Sequence, residues 1–174
     1  GATPVSIILA HLDGDAHLDI VVATQSDDAV EVILGQGNAT FEDPVPYPVG
    51  SGPTFVISAD LNKDGKADLA VANGNDGDIG ILLGEGGGVF DIMKTYYVGA
   101  FPTSMVAVDL NNDTFLDLVV CASDSTVNVL KGSGDGSFDL TVYYSTSSNP
   151  VTITSGDFNK DGKVDVAVGY MGNA

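Results

Sequence analysis

The 174-residue sequence predicts an all-β fold assembled from repeated units of four antiparallel strands. An acidic loop recurs from residues 11, 60, 109 and 157, which are 49, 49 and 48 residues apart. The apolar stretches around each loop are short, β-branched and bounded by Gly, Asn and Asp, as strands are. None keeps a 3.6-residue apolar period over a helical length.

Aligned on the loops, the chain falls into one domain, 1–174, with repeats 1–49, 50–98 and 99–146 and a partial repeat 147–174. Each repeat opens at a proline (Pro4, Pro53, Pro102, Pro150), and a first apolar strand follows, such as Phe55-Val56-Ile57-Ser58-Ala59. After the loop comes a second, as in Leu69-Ala70-Val71-Ala72. A third ends at a glycine: Gly35, Gly84, or after Val127-Asn128-Val129-Leu130. Glycine-rich turns then lead to Phe41, Phe90 and Phe138, and a more polar fourth stretch carries Tyr47, Tyr96 and Tyr144 in one column. The two inner strands are apolar almost throughout, which predicts cover on both faces. Four antiparallel strands in ~49 residues make a propeller blade. The expected architecture is therefore about three and a half β-propeller-type blades, incomplete or completed between molecules.

Charge is lopsided, with 24 acids against 6 Lys+Arg and a formal net charge of −18. That excludes nucleic acid as a partner, since it needs clustered base. Twelve of the acids sit at aligned loop positions, so the excess has a local cause. Cys121 is the lone cysteine, aligned with Ala23 and Ala72, and reads as a small buried strand residue. No apolar run approaches ~18 residues, so no membrane span is expected.

Oxygen-bearing residues at loop positions 1, 3 and 5, glycine at 6 and a carboxylate at 9 suit a hard cation wrapped by one tight turn. Ca²⁺ fits best, because it accepts six to eight oxygens in a forgiving geometry. In the second repeat Asp60, Asn62, Asp64 and Asp68 offer side-chain oxygens and Lys66 its carbonyl. The fourth repeat offers Asp157, Asn159, Asp161 and Asp165 with the Lys163 carbonyl. In the third, Asp109, Asn111, Asp113, Asp117 and the Phe115 carbonyl stand ready, but Thr114 replaces glycine, which predicts some strain. The first keeps Asp13, Asp15, Asp19 and the His17 carbonyl, with His11 at position 1 and Ala16 at position 6, and is expected to be weak or empty. Asp and Asn also close turns through their own side chains; recurrence at fixed positions favours ligation. For His11 an exposed turn residue is the better reading than a soft-metal ligand.

These motifs resemble the FG-GAP repeat, also called the VCBS or integrin-α N-terminal repeat, over nearly the whole chain. The Asp-x-Asn-x-Asp-Gly-x-x-Asp loop, the turns before Phe41, Phe90 and Phe138, and the segments Gly50-Ser51-Gly52-Pro53 and Gly99-Ala100-Phe101-Pro102 carry the resemblance together. It implies a propeller whose blades hold Ca²⁺ between their first two strands. It also implies an extracellular, integrin-like adhesion or lectin-like recognition role, with a protein or glycan ligand.

Asn38 and Asn112 begin glycosylation sequons, the second inside a metal loop. Tyr96-Tyr97, Tyr143-Tyr144 and Phe101 are of a type that stacks on sugar rings, although the aligned column favours packing between blades. Enzyme signatures are absent, and neither His11 nor His17 falls in an acid–base arrangement, so no catalysis is expected. Apolar open edges recruit strands, so self-association into a ring or filament is the alternative expectation. An ancillary domain of a secreted carbohydrate-active enzyme is the third.

Overall fold

The computed structural model describes residues 3–91 and 94–171. The first sheet holds β1 (Pro4–Ala10), β2 (Asp19–Thr24), β3 (Ala29–Ile33) and β4 (Val45–Pro48) in that spatial order. In the second repeat come β5 (Pro53–Ala59), β6 (Asp68–Asn73) and β7 (Asp78–Leu82), then a small hairpin, β8 (Gly84–Gly86) and β9 (Val89–Phe90), then β10 (Lys94–Tyr97). Its main sheet runs β5-β6-β7-β10. The third sheet is β11 (Pro102–Val108), β12 (Asp117–Ala122), β13 (Thr126–Gly132) and β14 (Phe138–Ser145). The last is the pair β15 (Pro150–Gly156) and β16 (Asp165–Tyr170). All pairings are antiparallel, and the sheets do not close into a ring.

Every opening proline is the first residue of its strand, where its missing N–H costs no ladder bond. The register slips one residue later in all four cases, for example between Pro53 and Phe55. Thr54 and Thr103 occupy that bulge and donate across to the next blade, Thr54 Oγ1 to the Pro102 carbonyl at 2.6 Å and Thr103 Oγ1 to Pro150 at 3.1 Å.

Successive blades stack face to face, and the two-residue period of β6 shows how. Leu69 and Val71 pack with Val21, Val30 and Val56 toward the first blade. Ala70 and Ala72 pack with Met105, Leu118 and Val120 toward the third. In β12, Val119 and Cys121 point the other way, onto Ile153 of the last pair. Cys121 is fully buried, as expected, and desolvation pushes its thiol up to about 11.

One sequence expectation needs correcting. The second strand of the inner blades is buried at every residue, but the first is not. In β1, Ile7 and Leu9 are 65% and 60% exposed. The first strands of successive blades meet (β1 with β5, β5 with β11, β11 with β15), and part of each is left uncovered.

Candidate metal loops and their buried clasp

Each loop joins the first and second strands of its blade, so all four occupy equivalent places on the stack. In the second repeat Asp60 accepts from the Asp64 N–H at 3.1 Å and the Gly65 N–H at 3.0 Å. Asn62 accepts from the same Asp64 N–H at 3.0 Å, and Asp64 from Lys66 N–H at 2.9 Å. That last bond holds the Asp64 carboxyl below its ordinary value. The third loop repeats the ladder: Asp109 takes Asp113 and Thr114 N–H, Asn111 takes Asp113, and Asp113 takes Phe115. The Phe115 N–H likewise lowers the Asp113 carboxyl. In the fourth, Asp157 takes Asp161 and Gly162, Asn159 takes Asp161, and Asp161 takes Lys163.

Position 6 lies at φ +82° in Gly65 and +84° in Gly162. Thr114 adopts the same region at +73°, so the third loop keeps its shape at the expense of the strain expected of a β-branched residue there. The first loop differs. Ala16 does not enter the left-handed region, and His11 Nδ1 lies 2.7 Å from the His17 carbonyl oxygen. A carbonyl only accepts, so Nδ1 carries the proton there. This imidazole stands where the other loops have a carboxylate, and it donates to the position-7 carbonyl. Asp13 and Asp15 still close the turn through Asp15 and His17 N–H, and the His17 N–H holds the Asp15 carboxyl low.

The carboxylate at position 9 has a second role that the loop pattern did not disclose. Asp68 is fully buried, accepting from Leu61 N–H and Gly84 N–H at 2.7 Å each. Asp19 does the same with Leu12 and Gly35, and Asp117 with Leu110 and Gly132. It thereby clasps the loop to the end of the third strand. Burial pushes the Asp68 carboxyl up, against the pull of these N–H groups. Glycine is required opposite, because a Cβ on Gly35, Gly84 or Gly132 would run into the carbonyl oxygen of Leu18, Ala67 or Leu116. The glycine column at the third-strand ends was the available signal. Asp165 keeps only the loop half of the clasp, with Phe158 and Asn159 N–H.

Among the described residues, no three His, Cys, Asp or Glu side chains form a cluster able to hold a metal by themselves. In the first three loops the position-9 side chain is turned inward on backbone donors. The remaining donors of the second, third and fourth loops are hard oxygens with free lone pairs. The Lys66, Phe115 and Lys163 carbonyls receive no backbone hydrogen bond among the described residues. Their chemistry fits Ca²⁺; the first loop's fits less well, because an imidazole donor at His11 replaces the position-1 carboxylate and is turned on the His17 carbonyl. Asn38 and Asn112 are exposed at turn positions with φ +52° and +59°.

The FG-GAP-like repeat pattern matches residues 11–71, 60–120 and 109–168. The chain belongs to the FG-GAP-like repeat family. Solved structures agree on the fold. The structure of BBS1N in complex with ARL6DN is 19% identical at a TM-score of 0.61, covering 97% of this chain and 50% of that one. A functionally unknown protein from Desulfotomaculum acetoxidans DSM 771 is 17% identical at 0.64, covering 82% and 42%. An Agrocybe aegerita lectin that recognises non-reducing terminal N-acetylglucosamine is 22% identical at 0.63, covering 91% and 44%. The FG-GAP chain thus spans half or less of the length of these structures. No curated protein sequence matches it significantly. Among the described residues no helix is long and apolar enough to cross a membrane.

Proposed function

We propose that this FG-GAP chain is a calcium-stabilised, non-catalytic recognition module that works outside the cell and binds a protein or glycan ligand. The hydrogen-bond ladder shared by the second, third and fourth loops carries the reading. It holds Asp60, Asn62 and Asp64, and their counterparts, in one turn beside an open carbonyl. A bound divalent ion would offset the mutual repulsion of the loop carboxylates. The role of these residues is to pin the first hairpin of each blade, and the clasp at Asp68 relays that order to the third strand. Neighbours of the same fold include one solved with a protein and one that recognises a sugar, which supports binding as the activity.

Extracellular sites of this type bind Ca²⁺ with dissociation constants of ~0.1–1 mM. A tenfold excess then adds about 1.4 kcal/mol per site to the folded state. Calorimetric titration and melting with and without chelator test the reading. Saturable millimolar binding with a rise in melting temperature is expected; an unchanged melt in millimolar calcium would overturn it.

A second reading, self-assembly, is favoured by the apolar surface at both ends of the stack. Ile7 and Leu9 are exposed at one end, and at the other a groove of about 350 Å³ is lined by Val129, Tyr144, Val166 and Val168. Sedimentation at increasing concentration separates the two readings, since a compact monomer throughout excludes assembly.

A further inference from the structure

A cleft of about 440 Å³ opens where the turn between β6 and β7 faces the segment leading into β11. This is of a size that takes small ligands. Gly74 and Gly77 form its floor, and an aromatic ring leans on each. A Cβ on Gly74 would come within 3.0 Å of Phe101 Cε2, and one on Gly77 within 3.2 Å of Tyr97 Cε2.

Neither ring is there to satisfy the repeat. Tyr97 aligns with Pro48 and Ser145, outside the tyrosine column, and is 70% exposed. Phe101 aligns with Gly52, which sits at φ +62°. Both carbonyls are held by the following turn: Gly52 O accepts from Gly74 N–H, and Phe101 O accepts from Ser123 N–H and Oγ. Phe101 adopts φ +48°, where a bulky side chain is an outlier, although the aligned Asn149 makes the equivalent carbonyl bond without entering that region. Such strain persists where surrounding structure enforces it, and it points to function. Burial does not compensate, since the ring is 40% exposed.

The polar groups beside the rings are oriented too. Ser51 N–H donates to Asp76 Oδ2 at 2.6 Å, and Asn75 Nδ2 donates to Ser51 Oγ at 3.3 Å. Asn75 and Asp76 line the cleft and are exposed, and their Oδ1 atoms accept no side-chain hydrogen bond among the described residues. Two rigid rings with two fixed acceptors match a sugar, whose C–H face stacks while its hydroxyls donate. Asp76 and the nearby Asp124, which accepts from Ala100 N–H, repel an anionic ligand.

We propose that the cleft between residues 74–77 and 97–101 binds a neutral saccharide ring, with Phe101 and Tyr97 as stacking walls and Asp76 and Asn75 as hydroxyl acceptors. This rests on the recognition reading and names its ligand. The test uses the 174-residue chain on an array of neutral and sialylated oligosaccharides, with N-acetylglucosamine titrated in a ¹H–¹⁵N spectrum. Saturable shifts at residues 75–77 and 99–101 are expected, weakened about tenfold or more in Phe101→Gly and Asp76→Asn. Phe101→Gly restores the residue of the second repeat, so its melting temperature should stay level or rise while binding falls. No neutral glycan bound, or binding unaltered by Phe101→Gly, overturns the proposal. So does a protein ligand lost in that variant when no sugar binds. Calcium titration reads the parent proposal separately: sugar binding without calcium binding sinks the calcium-stabilised module and leaves the cleft standing.

Discussion

The ring of Phe90 meets the ring of Tyr47 edge-on, with centroids 5.3 Å apart and planes at 83°, although the two belong to different repeats. Tyr96 and Phe138 stand likewise at 5.7 Å and 81°. The tyrosine of one blade is thus keyed to the phenylalanine that ends the glycine turn of the next, and the Tyr47 hydroxyl adds a bond to the Gly88 carbonyl at 3.0 Å. At the ends the key has no lock: Phe41 and Tyr144 are 45% and 59% exposed.

A double-mutant cycle on Tyr47→Ala and Phe90→Ala should yield a coupling of about 0.5–1.5 kcal/mol. Phe90→Ala alone should cost about 3 kcal/mol, since that side chain is nearly buried. The chemically identical Phe41→Ala should cost less than about 1 kcal/mol. Equal costs at Phe41 and Phe90 in urea unfolding would refute inter-repeat keying.

Asp68→Ala strands the N–H groups of Leu61 and Gly84 in the interior. Its expected cost is about 2–5 kcal/mol, in excess chelator so that metal plays no part. Asp165→Ala, where half the clasp is present and exposed, should cost about 1 kcal/mol. Urea midpoints measure both, and a loss at Asp68 no larger than that at Asp165 would refute the buried clasp.

The first loop departs from the others at His11 and Ala16. Replacing both, as His11→Asp with Ala16→Gly, restores the ladder acceptor and the left-handed residue. Calorimetry should then count about one more calcium per chain than in the parent. An unchanged stoichiometry would mean that the imidazole is not what closes the site.

Asp78 lies beside Asn73, whose Nδ2 donates to Asp78 Oδ1 at 2.8 Å while its own Oδ1 is buried without a partner. Burial pushes the Asp78 carboxyl above its ordinary value of 3.8. A raised carboxyl stabilises the fold below that ordinary value, and the contribution is lost as pH rises through the folded value. Asp78→Asn should therefore gain about 1 kcal/mol at pH 7, its amide offering a donor to Asn73. The gain should vanish below pH ~3.8. A pH-independent difference between the two proteins would contradict this account.

The all-β class, the four-strand period and the side chains that close each acidic turn were legible in the chain because each depends on local chemistry. β-branched runs, opening prolines and the alternation of Asp60, Asn62 and Asp64 act within a few residues of one another. Tertiary structure alone decided what depends on the neighbouring blade or the neighbouring strand. The aspartate at position 9 reads as one more ligand until the third strand brings Gly84 against it, and the tyrosine column has no partner until the next repeat delivers Phe90. His11 likewise looks merely exposed until the loop closes and its imidazole meets the His17 carbonyl. Phe101 gives no hint of strain by its residue type, since its left-handed backbone shows only in the tertiary structure. Local pattern names the turn-closing residues and the strands; which oxygen is already engaged, and which ring is left bare, is settled by contacts between residues far apart in the chain.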